Sequence, residues 1–170
     1  MDNIEYNRES RESYTDIKEL KKKYELLKKK YNLPGFKELD EEFDILKADS
    51  DSETLLREIR KAMILKFSAV LNFIELLLNP TSGSMFYMFL VRGINGIDKS
   101  IMDKLFEKLG EIELTSFRLD VNYSEEKEAD FIKSEFASWQ GIKPELTKIL
   151  DSLQENWKKT VSKKEKSYFG

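Results

Sequence analysis

The chain has 170 residues, contains neither cysteine nor histidine, and carries a formal net charge of −3. These absences exclude disulfides, the common zinc sites, catalysis by cysteine or histidine, and histidine-based pH switching. The negative charge excludes a simple polycation that coats nucleic acid. Charged residues are 36% and apolar residues 40% of the chain, with only three prolines. The composition therefore favours one folded body built from long elements.

The first residues and the most apolar run both argue against export or membrane insertion. The opening Met-Asp-Asn-Ile-Glu-Tyr lacks the basic and apolar regions of a signal peptide. The run 62–78 is shorter than the roughly 20 apolar residues of a membrane span, and it contains Lys66, Asn72 and Glu75. We therefore expect a cytoplasmic protein without a membrane partner.

An amphipathic N-terminal helix is predicted from about Tyr14 to Tyr31. Its apolar side chains recur at intervals of 3, 4, 3 and 4 residues, the spacing of a coiled-coil seam: Ile17, Leu20, Tyr24, Leu27 and Tyr31. Two lysine triplets flank the seam: Lys21, Lys22, Lys23, Lys28, Lys29 and Lys30. Because two heptads are too short to be stable alone, the seam is expected to contact the bundle, a second copy or a partner. The acids of residues 38–44 are close enough in sequence to face the lysines.

A turn and a short acidic segment follow this helix. Asn32-Leu-Pro-Gly35 contains the proline–glycine pair of a turn. The next residues are predicted to form a short amphipathic segment, rich in acids, whose apolar side chains are Phe36, Leu39 and Phe43.

The longest apolar pattern, from Glu53 to Asn79, predicts a central helix. Ser50 and Glu53 fit a capping box at its start, and Pro80 ends it because proline lacks an N–H and restricts the preceding residue. The apolar arc is wide enough to need neighbours on more than one side. Lys66 interrupts this arc. Either its stem packs while its amine reaches a carboxylate at the rim, or it is a buried charge held in a cleft for a ligand.

Two helices are predicted between the central helix and residue 120. The apolar run 85–91 is compatible with helix or strand, and we interpret it as a short helix that plugs one end of the bundle. A long helix is expected over 97–120, although 117–123 alternates apolar and polar residues like a strand. A single strand would have no obvious partner, which favours the helix.

Two further helices and a basic tail complete the chain. Helices over 124–140 and 144–160 are expected to form an antiparallel hairpin, because Gly141 and Pro144 are typical of a helix end and a helix start. Ser124 is expected to cap the first of them. The tail contains three closely spaced lysines, which with the two triplets form a candidate basic surface: Lys163, Lys164 and Lys166.

The predicted fold is all-α, a helical bundle of about four long helices with an additional amphipathic N-terminal helix. We divide the chain into an N-terminal helix with an acidic connector (1–49), a helical bundle (50–160) and a basic tail (161–170). The Gly93–Gly96 turn lacks the lysine of a phosphate-binding loop, and no catalytic residue, cofactor or metal is predicted.

Three functional hypotheses fit these patterns. The leading one is a non-enzymatic interaction or adaptor protein that docks a protein or nucleoprotein partner, or a second copy, through the seam and the apolar side chains of the acidic segment. The second is an RNA- or ribosome-associated factor held by the basic surface, whose affinity must fall steeply with salt. The third is a ligand-binding or catalytic bundle with Lys66 in a cleft.

Overall fold

The structure, a computed structural model, is built from α-helices. It describes residues 2–48, 52–92, 94 and 96–168, and the side chains of 17–48, 52–92, 94 and 98–159. These residues form no β-strand and six α-helices: α1 (Asp2–Tyr31), α2 (Phe36–Phe43), α3 (Leu55–Leu78), α4 (Met85–Leu90), α5 (Gly96–Val121) and α6 (Glu125–Tyr168). Short 3-10 turns follow α2 (Ile45–Lys47) and α3 (Pro80–Ser82). The predicted all-α fold class is confirmed.

The central helix has nearly its predicted bounds. It starts where the backbone carbonyl of Thr54 accepts the N–H groups of Arg57 and Glu58, and it stops before Pro80, as predicted. Ser50, which the predicted capping box requires, lies outside the described residues. None of the described helices is both long and apolar enough to cross a bilayer.

Both segments with an ambiguous period are helical. The run 85–91 contains α4, and α5 continues as a helix through the residues that alternate like a strand. The expectation that α4 plugs the bundle is wrong, because only Leu90 of this helix is buried. Its exposed large apolar side chains are Met85, Phe86 and Met88.

The N-terminal helix is longer than predicted but ends where expected. It begins at Asp2 rather than near Tyr14. At its end, Asn32 adopts a left-handed conformation (φ 54°), and the N–H of Leu33 donates to the carbonyl of Lys28 at 3.3 Å. This geometry satisfies a free carbonyl of the last turn and turns the chain toward α2.

The predicted hairpin between 124–140 and 144–160 is wrong, because α6 is one helix of 44 residues. Glycine and proline inside a helix cost about 1 and 3 kcal/mol. Pro144 is exposed, so the Gln140 carbonyl that loses its hydrogen bond lies on the solvent side of the helix. Burying a large apolar side chain contributes about 1.5–3 kcal/mol, and several large side chains around Gly141 are buried along one stripe: Trp139, Ile142, Ile149 and Leu153. The free energy gained by burying these side chains exceeds the cost of having Gly141 and Pro144 inside the helix.

The contacts group the described residues into two compact units. Unit 1 contains the chain up to Lys66 and the segment Thr115–Phe136, whereas unit 2 contains Phe67–Leu114 and α6 from Ala137 onward. Helices α3, α5 and α6 therefore each contribute one part to unit 1 and the other part to unit 2.

The core of unit 1 is built where α1 packs against the segment that follows it. The Tyr24 ring meets the Phe36 ring edge to face, with centroids 5.3 Å apart, and its hydroxyl donates to the Pro34 carbonyl at 2.8 Å. Burial, reinforced by the charges of Glu25 and Glu38, raises the pKa of Tyr24 far above its ordinary value, so this phenol stays neutral. The other large apolar side chains of this core include Leu20, Leu39, Phe43, Ile45, Leu56, Ile59, Met63, Phe131 and Ile132.

The core of unit 2 forms around the second half of α3. The rings of Phe67 and Trp139 meet edge to face with centroids 5.7 Å apart. The Ser68 hydroxyl donates to Glu113, and the Ser152 hydroxyl donates to Asp98 at 2.7 Å. Further buried side chains here include Ile74, Leu77, Met102, Leu105, Leu109 and Ile112.

Candidate functional site

A buried ion pair joins α3 to α6 in unit 1. Arg60 donates from Nε to Glu128 Oε2 at 2.7 Å, and these side chains are 1% and 0% exposed. The rest of the guanidinium is held by α5. Its Nη1 donates to the hydroxyl and the backbone carbonyl of Ser116, and its Nη2 donates to Asp120 Oδ1 at 2.5 Å. Three helices therefore meet at one guanidinium, and we call these four residues the arginine cluster.

Charge compensation favours the ionised forms of Arg60 and Asp120. Burial acts to lower the pKa of Arg60, but its hydrogen bonds to Asp120 and Glu128 outweigh burial and raise it. The hydrogen bond from Arg60 in turn lowers the pKa of Asp120, and the nearby charges of Arg57 and Lys61 act in the same direction. Arg57 Nε lies 3.7 Å from Glu128 Oε1, and neither of these buried atoms has a hydrogen-bond partner among the described residues. The positive charge of Arg57 thus adds to the compensation of Glu128.

A second polar contact ties the end of α1 to the start of α6. Glu125 Oε1 accepts hydrogen bonds from Lys30 Nζ at 2.8 Å and from the Tyr31 hydroxyl at 2.5 Å. These two bonds lower the pKa of Glu125. Just before it, the Ser124 hydroxyl accepts the N–H of Lys127 at 3.4 Å, so the predicted cap of this helix is present.

The arginine cluster is a support rather than a reaction centre. Arginine stays protonated at physiological pH, and Glu128 cannot touch a bound molecule while it is closed off from solvent. Among the described residues, no group of three or more acidic side chains is placed to hold a metal ion. The chemistry open to this cluster is the positioning of α3, α5 and α6.

One accessible site of unit 1 is a groove between the end of α5 and the start of α6, which we call the α5–α6 groove. Its volume is about 530 Å³, and it is lined by Thr115, Arg118, Leu119, Asn122, Lys127, Asp130, Phe131 and Ser134. Leu119 and Phe131 are buried and form an apolar floor. The Leu119 carbonyl accepts a hydrogen bond from Arg57 Nη2 at 3.4 Å. The residues around the arginine cluster therefore hold the floor of the groove.

The rim of the α5–α6 groove is positively charged. Arg118 and Lys127 are exposed on opposite helices. The acid of the groove, Asp130, forms an ion pair with Lys133 at 2.9 Å. Phe117 and Val121 are 62% and 79% exposed on the same stretch of α5, but they are not lining residues of the groove. An apolar floor and a charged rim are the features of a surface that receives a partner's side chains.

The predicted partner-binding side chains lie mostly inside unit 1. Five are buried: Leu20, Tyr24, Phe36, Leu39 and Phe43. Three are half-buried: Ile17, Leu27 and Tyr31. The Tyr24–Phe36 contact brings the seam and the acidic segment together. Packing on its own chain, one of the three contacts considered for the seam, is present.

Lys66 lies in a cleft of unit 1 and has partners there. Its Nζ donates to the backbone carbonyl of Glu42, lies 3.9 Å from Glu42 Oε2, and sits 5.6 Å from the Phe43 ring centroid. Its side chain is 38% exposed, which fits the interpretation of a packed stem with the amine at a rim carboxylate. The cleft has a volume of about 450 Å³ and also contains Glu41, Asp44 and Lys47.

The lysine triplets of α1 are mostly exposed. Lys30 pairs with Glu125 of α6 rather than with an acid of residues 38–44. Lys21 Nζ lies 5.5 Å from the ring centroid of Phe36, so its stem covers part of the core. The side chains of the predicted basic tail lie outside the described residues: Lys163, Lys164 and Lys166.

The arginine cluster was not predicted from the sequence, although the sequence contains a signal for it. Arg60 follows Leu56 by four residues and precedes Met63 by three, so it interrupts the apolar face of α3 just as Lys66 does. Glu128 precedes the buried Ile132 by four residues on α6. Two opposite charges on two apolar faces indicate a buried pair, but their spacing along each helix does not reveal that they meet.

Comparison with protein-family models, with curated proteins and with solved structures finds no match for this chain. Only the geometry of its own residues therefore bears on what the protein does.

Proposed function

We propose that the protein is a non-enzymatic interaction protein whose α5–α6 groove docks an amphipathic segment of a protein partner. The observation that carries the proposal is an open groove of about 530 Å³ whose apolar floor, Leu119 and Phe131, lies between the exposed cations Arg118 and Lys127. An apolar concavity beside a charged rim is typical of protein–protein contacts. Insertion of a partner's apolar side chains over this floor is expected to drive the association.

The charge of the rim defines the partner. With Asp130 neutralised by Lys133, Arg118 and Lys127 leave the rim with a positive charge. A matching segment carries apolar anchors for the floor at Leu119 and Phe131, and acidic groups on either side of them. An amphipathic helix with anchors one turn apart fits this requirement.

The arginine cluster supports this function by holding the groove in shape. A groove whose helices are already fixed loses little conformational freedom when a partner binds. Arg60 connects α3, α5 and α6 within unit 1, and Arg57 donates to the carbonyl of Leu119. The buried charges therefore act on binding through the position of α5 and α6.

Site-specific photo-crosslinking tests the proposal. A photoreactive residue at Thr115, which is exposed and lines the groove, is expected to capture a protein from native lysate. The same residue at Lys37, whose side chain is 88% exposed on α2, is the matched control. Capture at Thr115 should disappear in Arg118→Glu and persist in Lys37→Glu, since only the first reverses the charge of the rim. Docking in the groove is contradicted if Thr115 and Lys37 capture partners equally, or if Arg118→Glu leaves capture at Thr115 unchanged.

An RNA- or ribosome-associated factor is the second candidate. It is favoured by the exposed lysines of α1, which the inward-facing seam leaves on the outer side of the helix. Nuclease treatment before crosslinking separates the two candidates, because a partner that is held through RNA is no longer recovered once the RNA is degraded. Recovery that survives nuclease and falls only weakly with salt favours the groove.

A further inference from the structure

We infer that unit 2 carries a separate binding surface, formed by α4 and Trp157, that docks on an anionic lipid surface. The apolar part of this surface is defined by four exposed side chains, Met85, Phe86, Met88 and Trp157. We call these four residues the α4 tip.

The α4 tip is a fixed structure that presents its apolar side chains to solvent. Phe86 and Trp157 meet edge to face with ring centroids 5.4 Å apart, which ties α4 to α6. On its inner side, Tyr87 contacts the Phe73 ring at 6.4 Å. Met85 is nevertheless 70% exposed. A short helix anchored on one side and apolar on the other is not explained by the folding of unit 2, and an outside partner accounts for its exposure.

Positive charge borders the α4 tip. Arg92 is exposed directly after α4, with its guanidinium 4.6 Å from the Phe89 ring centroid. On α6, Trp157 is followed at once by two exposed lysines, Lys158 and Lys159, of which Lys159 pairs with Glu155 at 3.8 Å. From residue 158 onward the sequence contains five lysines against one glutamate. Lysine clusters beside apolar side chains on a helix match the negative surface potential of anionic lipids.

A lipid surface fits the α4 tip better than a second copy of the chain or RNA. A second copy would bring two positively charged borders together, which opposes association. RNA would leave the aliphatic methionine side chains without a matching surface, since its recognition relies on phosphate contacts and base stacking. Methionine, phenylalanine and tryptophan side chains insert about 5–10 Å into the boundary between headgroups and acyl chains. Binding of this kind needs no helix that crosses the bilayer, but it departs from the expectation of no membrane partner, which considered only membrane spans and export.

Tryptophan fluorescence with vesicles tests the inference directly, because the chain has two tryptophans in contrasting positions. Trp157 belongs to the α4 tip, whereas Trp139 is 3% exposed in the core of unit 2. The variant Trp139→Phe leaves Trp157 as the reporter, and Trp157→Phe is its matched control. Phosphatidylcholine vesicles with added phosphatidylserine should shift the emission of Trp139→Phe to the blue and leave that of Trp157→Phe unchanged. Pure phosphatidylcholine vesicles should shift neither.

Co-flotation with the same vesicles tests which side chains bind. The double variant Met85→Ser, Met88→Ser is expected to lose binding by about tenfold or more, since it removes apolar groups that would leave water. Leu65→Ser, which alters a 75% exposed leucine of unit 1, should bind like the unaltered chain. Lys158→Gln and Arg92→Gln should each weaken binding about fivefold, and Lys37→Gln should not.

Three results would overturn the inference. The first is no binding to phosphatidylserine-containing vesicles, and the second is equal binding to both kinds of vesicle. The third is a self-association, measured by sedimentation, that the Met85→Ser, Met88→Ser variant abolishes, because the α4 tip would then be a contact between copies. All variants are first compared by circular dichroism, and the two exposed methionines are chosen because their truncation leaves the Phe86–Trp157 contact in place.

Discussion

Nε of Arg60 and Oε2 of Glu128 lie 2.7 Å apart, and each side chain is at most 1% exposed. The two residues are 68 positions apart in sequence, so their contact fixes which face of α6 meets α3 in unit 1. Neither charge reaches water, and the desolvation of one is compensated only by the other and by the groups around them. Their pairing therefore makes one packing of these helices much more favourable than its alternatives.

Breaking this pair is expected to destabilise the protein strongly. Glu128→Gln leaves Arg60 buried beside a neutral group, and the free energy of unfolding should fall by about 3–5 kcal/mol. Urea denaturation measures the change, with Glu126→Gln as the control because that glutamate is exposed on the same turn. The double variant Arg60→Met, Glu128→Leu should lose less than Glu128→Gln. A loss for Glu128→Gln no larger than for the control would show that the pair is not intact in solution.

The acid stability of unit 1 is expected to depend on Asp120. Its pKa is lowered below the ordinary 3.8 by the hydrogen bond from Arg60. The carboxylate therefore stabilises the folded state above pH 3.8, and this contribution is lost as the pH falls through the lowered pKa. Asp120→Asn should lower the melting temperature at about pH 5 and converge with the unaltered chain toward about pH 2. Asp151→Asn, a substitution at another exposed aspartate, should show no such convergence, and a constant difference for Asp120→Asn would contradict the assignment.

The seam of α1 is expected to contribute to stability rather than to association. Leu20→Ala removes a side chain that is 2% exposed and should cost about 2–5 kcal/mol. Leu26→Ala, on the same helix but 64% exposed, should change stability by less than about 0.5 kcal/mol. In the double variant Leu20→Glu, Leu27→Glu the melting temperature should drop. If its stability holds while the sedimentation coefficient changes, the seam mediates contacts between molecules.

The continuity of α6 predicts that Gly141→Ala stabilises the protein. A Cβ at this position meets no atom within 4 Å, and alanine is favoured over glycine inside a helix by about 1 kcal/mol. Gly83→Ala is the contrasting case, since its Cβ would lie 2.9 Å from Tyr87 Cδ2 and 3.1 Å from Leu76 Cδ2. Thermal melts should move in opposite directions for the two variants. A lower melting temperature for Gly141→Ala would favour a chain that turns at this glycine.

Local sequence signals predicted helix ends correctly where packing against distant residues did not override them. Pro80 and Ser124 mark real helix ends, because their effects depend on their own backbone and its neighbours. Gly141 and Pro144 give equally clear local signals, yet the packing of Trp139 and Ile142 overrides them. The free-energy cost of glycine or proline inside a helix is small compared with the free energy gained by burying several large side chains. How much apolar surface a helix buries depends on its neighbours, which the sequence of that helix does not specify.

The candidate site was harder to predict because it depends on which faces meet. The seam of α1 correctly indicated a face that contacts something, but its spacing could not identify Phe36 as the neighbour of Tyr24. The α5–α6 groove arises from the approach of two helices, and no motif within either helix encodes it. Arg60 lies within the apolar stripe of α3 as Lys66 does, but nothing in the spacing along α3 indicates that an acid of α6 meets it.

The division of α3, α5 and α6 between the two units also constrains how this protein can be assembled from fragments of its sequence. Each unit draws on two stretches of sequence separated by residues of the other. A gene fragment that encodes the chain only up to Leu114 supplies Arg60 without Glu128, Asp120 or Ser116. Exchange of a single contiguous stretch of sequence therefore cannot transfer either unit alone.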